Sequence, residues 1–222
     1  MRILIVAATE AEIAPLAAGL RISKLSDVRP KGARAFQASG PDIDVLVTGV
    51  GMVSTAAKTA RALAQARYDL ALNLGVCGSF DPRLNPGRVV HVVSDRIAEL
   101  GAEDGDAFLT VEELSLHGDA VFVNRDPPDN ELLNHLPPVS GITVNTVHGN
   151  ERSIAAIVHR FSPQVESMEG AAFMHACLIS QVPFAQVRAV SNLVEPRNRE
   201  AWNLREAIAN LNRCARGILD RL

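Results

Sequence analysis

The stretch IDVLVTGVGMVSTAAKTARALAQARYDLALNLG, residues 43–75, decides the fold. Ile43–Thr48 is an apolar run of strand length. Gly49-Val50-Gly51 then opens an Ala-rich helical pattern through Arg67, and Leu70–Leu74 is a second apolar run ending at Gly75. Strand, helix and strand in that order make a βαβ unit with its two strands in parallel. The apolar character of both runs suits strands covered by helices on both faces.

The same alternation extends in both directions. Upstream, Ile3–Ala8 reads as a buried strand and about Ala11–Gly19 as a helix. Arg34–Ser39 reads as a strand paired with Ile43–Thr48 through a turn at Gly40-Pro41-Asp42. Downstream, Val89–Ile97, Ala120–Val123, Ile142–Thr146, Val165–Met168 and Phe184–Val190 read as strands. Arg152–Arg160, Gly170–Ser180 and roughly Glu200–Leu222 read as helices. The pattern predicts an α/β fold: a single domain over 1–222, with a mixed, mainly parallel central sheet flanked by helices. Residues 99–138 break the rhythm with acids and clustered Gly, Asp and Pro, including Asp126-Pro-Pro-Asp129, and are expected to form a surface excursion or lid.

Composition narrows the function classes. Of 222 residues, 47% are hydrophobic and 21% charged, which excludes a disordered chain or a coiled coil. The formal net charge of −3 leaves no basic surplus for a phosphate backbone, so no nucleic-acid partner is expected. MRILIVAATEAE lacks the apolar length of a signal peptide or a membrane span, and no membrane partner is expected. Cys77, Cys177 and Cys214 are odd in number and far apart, which points to reduced thiols and a cytoplasmic address. With no His-x-His, His-x-x-x-His or Cys-x-x-Cys, neither a metal nor a cofactor is expected.

In an open parallel sheet, ligands bind beyond the carboxyl ends of the strands. Several residues there admit two readings. Gly49-Val50-Gly51 begins like a dinucleotide fingerprint but has Ser54 where a third Gly belongs. It is either a tight turn or a set of backbone N–H groups receiving an oxygen. Gly75-Val-Cys77-Gly78-Ser79 is either a nucleophile elbow with Cys77 as nucleophile, or small residues giving a flat ligand close access to the backbone. Glu169 is a helix-start acid favoured by the dipole, or a carboxylate accepting from two vicinal sugar hydroxyls. Glu12 is a surface acid or a general base, and Asn192 a turn residue or a ligand contact.

Five segments occur together in order: Ala8-Thr-Glu10-Ala-Glu12, Thr48-Gly-Val-Gly51-Met, Asn73-Leu-Gly75-Val-Cys-Gly78, Glu166-Ser-Met168-Glu169-Gly-Ala-Ala and Val187-Arg188-Ala-Val-Ser191-Asn192. With them the sequence resembles the nucleoside phosphorylase and nucleosidase superfamily, on the branch of the methylthioadenosine/adenosylhomocysteine nucleosidases. The resemblance covers nearly the whole chain except the acidic excursion. It implies a small nucleoside as substrate, and a homo-oligomer, dimer or higher. It also implies Glu12 as the base that activates water, and Met168 and Glu169 as ribose contacts. The Cys77-Gly78 backbone and the Val147, His148 segment would line the base pocket, and Phe80 is a candidate ring to stack there.

One departure separates this chain from the adenosine-cleaving members of that branch, which have Asp after the Ser. Here the residue is Asn192. Breaking an N-glycosidic bond builds oxocarbenium character on the sugar, so the purine must become a better leaving group. A carboxyl group can protonate N7 while accepting from a 6-amino group. A carboxamide transfers no proton, but its NH₂ can donate to N7 or to O6 of a 6-oxopurine. Asn192 therefore implies a 6-oxopurine nucleosidase, with nucleosidases of 6-amino substrates as the nearest rivals and a Cys77-dependent hydrolase as the rival of another class. Val194–Arg199 and Trp202 resemble the subgroup whose substrate carries a benzoate, which Arg197 or Arg199 would pair.

Overall fold

A computed structural model gives the fold and describes residues 1–20, 23–24, 42–116 and 118–222. The elements are β1 (Arg2–Ala7), α1 (Glu10–Ala18), β2 (Ser23–Lys24), β3 (Asp42–Val47), α2 (Met52–Gln65), β4 (Leu70–Ser79) and β5 (Val89–Ile97). There follow β6 (Gly101–Asp104), β7 (Ala107–Thr110), β8 (Val121–Val123), α3 (Glu131–His135), β9 (Pro138–Thr143) and α4 (Glu151–Phe161). The chain ends with β10 (Val165–Ser167), α5 (Gly170–Ser180), β11 (Phe184–Leu193), a 3₁₀ turn at Arg199–Ala201 and α6 (Leu204–Leu219). Among the described residues no helix is long and apolar enough to cross a membrane. The expected strand Arg34–Ser39 and the turn at Gly40-Pro41 lie outside the described residues.

The main sheet runs β10-β9-β5-β11-β4-β1-β3-β2, with β8 added on β5. Among the described residues its pairings are parallel except β11–β5, β5–β8 and β10–β4. Because β10 pairs with β4 as well as β9, the strands β4, β11, β5, β9 and β10 close on themselves, which corrects the expectation of an open sheet. Closure brings β10, β4 and β11 side by side at the end where a ligand would sit.

Both sheet faces are buried, and β1 displays the division residue by residue. Ile3, Ile5 and Ala7 pack with Ile13 and Leu16 of α1 and with Ala207, Leu211, Ala215 and Ile218 of α6. Leu4 and Val6 face the other way, toward Ala62 and Leu63 of α2 and Phe173, Met174 and Cys177 of α5. Period-two strands with both sides covered give a continuous apolar sequence. Each fully buried Leu or Ile contributes about 1.5–3 kcal/mol relative to exposure.

The join between α1 and α6 positions the first turn of α1. Pro15 sits inside α1 and has no N–H. The neighbouring Leu16 N–H donates to Asn212 Oδ1 at 2.9 Å, and Asn212 Nδ2 donates to the Glu12 carbonyl at 2.7 Å. A side chain of α6 is thus spliced into the α1 ladder at the residue bearing the Glu12 carboxylate.

Several boundaries differ from expectation, and three elements shift by four residues or more at one end. β4 does not end at Leu74 but runs through Gly75 and Gly78 to Ser79. β9 covers Pro138–Thr143 rather than Ile142–Thr146. The last helix begins at Leu204, after the 3₁₀ turn, rather than near Glu200. Within 99–138 the chain forms a β6–β7 hairpin, a strand of the main sheet (β8) and the short helix α3. Phe108 of the hairpin packs edge-on against Phe161 at 6.5 Å, with the Arg160 guanidinium 3.9 Å from its ring centre.

Candidate active site

The ends of β4, β10 and β11 and the starts of α1, α2 and α5 bring four buried charged side chains together. Glu12 belongs to the first turn of α1, where Thr9 and Glu12 form a capping box. Its Oε2 accepts from Thr9 N at 2.8 Å and Thr9 Oγ1 at 2.9 Å, and its Oε1 accepts from Val76 N at 3.2 Å. The carboxylate is thereby fixed against the edge of β4.

Glu169 caps the start of α5 and is 5% exposed. Its Oε1 accepts from Gly51 N at 3.0 Å and its Oε2 from Arg188 Nη1 at 3.4 Å. Gly49 and Gly51 have φ of +82° and +101°, so this turn needs glycine. The oxygen received by the Gly51 N–H therefore comes from Glu169 itself.

Arg188 is a site residue that sequence reasoning quoted within a motif but gave no role. It is 1% exposed in the middle of β11. Its Nη2 donates to Asn73 Oδ1 at 2.6 Å, and its Nη1 reaches Val76 O and Glu169 Oε2, each at 3.4 Å. Gly75 makes this possible: a Cβ there would lie 2.2 Å from Arg188 Nη1 and 3.0 Å from Glu12 Oε1. Gly75 is thus a strand residue kept small so that Arg188 and Glu12 can converge on it. A charged residue inside an otherwise apolar strand run was the available signal, because a buried guanidinium requires partners.

Glu166 is the second such residue. It lies in β10, 3% exposed, and receives His148 N at 3.1 Å on Oε1, while its Oε2 is 2.6 Å from His148 Nδ1. Phe80 meets the His148 ring edge-on at 6.0 Å. Val147 is exposed beside them. Phe80, His148 and Gly78 therefore lie around one place, with Glu166 among them.

Asn192 follows a β-bulge: β11 pairs Val190 with Cys77 and Asn192 with Gly78, leaving Ser191 as the extra residue. Bulges re-aim side chains, and here Ser191 Oγ donates to Cys77 O at 3.1 Å or Asn192 Oδ1 at 2.8 Å. Asn192 Nδ2 donates to Leu193 O at 2.8 Å, which fixes the amide orientation and leaves one N–H for a ligand. A Cβ on Gly78 would sit 3.5 Å from Asn192 Nδ2 and 3.4 Å from Glu166 Cγ, so both side chains border the bare face of Gly78.

The nucleophile-elbow reading of Cys77 is overturned. Cys77 lies within a strand, not at a sharp turn, and is 3% exposed. Burial pushes its thiol up to about 12, against the opposing pull of Arg188. At pH 8 only about 1 thiol in 10⁴ would be the reactive thiolate. Cys77→Ala is therefore expected to retain turnover within about threefold in a steady-state assay, and loss of activity would restore the thiol mechanism.

The remaining predicted residues fall into two groups. Met168 is half-buried immediately before Glu169. Arg197 is exposed, its N–H donating to Gly149 O at 3.1 Å and its guanidinium 5.5 Å from the Trp202 ring, so this pair borders the Val147–Gly149 segment. Arg199 is exposed in the 3₁₀ turn, and among the described residues no side-chain hydrogen bond or ion pair ties it to the cluster.

The sequence pattern of the phosphorylase superfamily matches residues 2–220. A futalosine hydrolase from Streptomyces coelicolor is 34% identical over 205 residues, covering 81% of this chain and 85% of that protein. One from Thermus thermophilus is 33% identical over 180 residues, covering 78% and 80%. The chain belongs to the phosphorylase superfamily, in the futalosine hydrolase family. A solved futalosine hydrolase of Helicobacter pylori superposes with a TM-score of 0.81 at 16% identity, over 100% of this chain and 98% of that one. At that identity the likeness speaks to the fold alone.

Proposed function

We propose that this chain hydrolyses the N-glycosidic bond of futalosine, releasing hypoxanthine and leaving dehypoxanthine futalosine, a step of menaquinone biosynthesis. The observation that carries this reading is Asn192. It stands where adenosine-cleaving relatives have Asp, with its NH₂ fixed by Leu193 O and next to Gly78. The identity to two curated futalosine hydrolases supports the same substrate.

The water's oxygen bonds to C1′ as the C1′–N9 bond breaks and its electron pair passes to the purine. Glu12 takes the water's proton. Glu169 accepts from the vicinal ribose hydroxyls and Met168 packs on the sugar. Asn192 donates to N7 or O6 as negative charge builds on the base, and solvent supplies the base's proton. Cys77 and Gly78 backbone, Val147, His148 and Phe80 line the base, while Arg197 or Arg199, with Trp202, receives the benzoate end. Residues 1–222 act as one nucleosidase unit, cytoplasmic and homo-oligomeric; within 99–138 only the β6–β7 hairpin is its surface excursion, because β8 joins the main sheet and Phe122 and Leu133 are buried in the core.

An acid at Glu12 repels phosphate, so turnover is hydrolytic. Futalosine is expected to yield hypoxanthine equally well in phosphate-free buffer, and a strict need for phosphate would contradict the reading. Asn192→Asp should lower the kcat/KM ratio of the 6-oxo over the 6-amino nucleoside by at least about tenfold. An unchanged ratio would remove Asn192 from base selection.

A further inference from the structure

Glu166 has no role in the reaction as described, yet it is a buried carboxylate beside the base pocket. Its strand neighbour across β10–β4 is Gly78. A side chain on Gly78 would meet Val194 Cγ2 at 2.9 Å, Glu166 Cγ at 3.4 Å and Asn192 Nδ2 at 3.5 Å. The missing side chain is therefore a floor shared by a carboxylate and a carboxamide. His148 holds the carboxylate twice, through its backbone N–H at 3.1 Å and its ring Nδ1 at 2.6 Å, and Phe80 braces the ring. A carboxylate has about four lone-pair sites, so these two donors leave Glu166 able to accept from a ligand.

The two purine classes differ most sharply at N1. A 6-oxopurine carries an N1–H donor beside the O6 acceptor. A 6-aminopurine presents a bare N1 acceptor beside an amino donor. A carboxylate facing N1–H makes a charge-assisted hydrogen bond. The same carboxylate facing a bare N1 sets lone pair against lone pair in a buried place, where an unmatched polar group is costly. Asn192 alone cannot supply this discrimination at N1, because its free N–H is committed to N7 or O6.

We propose that Glu166, oriented by His148, accepts the N1–H of a 6-oxopurine and is the main determinant of base selectivity. This rests on the nucleosidase reading above and adds a residue to it. A merely structural Glu166–His148 pair would affect stability and leave the choice of base untouched.

The test is kcat/KM for futalosine and for its 6-amino analogue, measured on the unmodified protein and on Glu166→Gln. The Gln amide can turn its NH₂ toward a bare N1, so the 6-oxo over 6-amino ratio should fall by at least about 100-fold. If Glu166→Gln does not fold, the unmodified protein still decides. Hypoxanthine should inhibit at least about tenfold more tightly than 6-methoxypurine, which keeps an oxygen at C6 but lacks N1–H. An unchanged ratio in the variant, or equal inhibition by the two bases, overturns the Glu166 assignment while leaving futalosine hydrolysis standing. Failure of the unmodified protein to release hypoxanthine would overturn the parent reading as well.

Discussion

Glu12→Gln is expected to lower kcat for nucleoside hydrolysis by at least about 100-fold, the low end for an acid–base role, with KM changed far less. The geometry explains why so isosteric a change should matter. Three donors occupy the carboxylate, two from Thr9 and one from Val76. Of about four lone-pair sites, one remains to take a hydrogen from water. A carboxamide has no capacity to keep that proton, and its NH₂ would have to face either the Thr9 donors or the Val76 N–H. The Asn212 splice holds the backbone through Glu12 O, so the variant should still fold. Steady-state base release with a thermal melt as control checks this, and a kcat within tenfold of the unmodified protein would remove Glu12 as the base.

Glu169→Gln is expected to cost at least about 100-fold in kcat as well, for a different reason. Glu169 bridges two elements, taking Gly51 N from the start of α2 and Arg188 from β11. Replacing it leaves a guanidinium that is 1% exposed without its anion, with Arg188 Nε already lacking a partner among the described residues. Breaking a buried pair by removing one charge is strongly destabilising, by about 3–5 kcal/mol in the severe case, and a Gln that keeps one acceptor should cost less. The variant should therefore lose both activity and melting temperature, whereas Glu12→Gln loses chiefly activity. A Glu169→Gln variant with normal turnover would deny that the sugar rests on this carboxylate.

How far the sequence revealed this arrangement can be traced to individual residues. The βαβ unit over 43–75 was legible because β3, α2 and β4 each carry an uninterrupted pattern of one period. Gly75 and Gly78 misled the reading of β4, since glycine usually ends a strand. Here each glycine stays in the strand because a long-range partner occupies the room of its side chain, Arg188 and Glu12 at one and Val194 at the other. Those partners lie more than 60 residues away in sequence, and no local pattern reports them. α3 spans five residues between prolines and carries too few turns to show a period. Arg188 and Glu166 were visible as charges inside apolar strands, but which partners neutralise them depends on the closure of β10 onto β4. The placing of Glu12 and Glu169 at one end of the sheet was legible because each stands at the start of a helix that follows a strand, whereas Asn192 lies inside β11, beyond a bulge that no local pattern reports.

The substrate itself gives the most direct test. Purified protein is incubated with futalosine, with its 6-amino analogue and with methylthioadenosine, and the free base is read by chromatography. The account predicts hypoxanthine from futalosine with a kcat/KM at least about 100-fold above that for either 6-amino nucleoside. Release of adenine from the 6-amino nucleosides with no hypoxanthine from futalosine would contradict it.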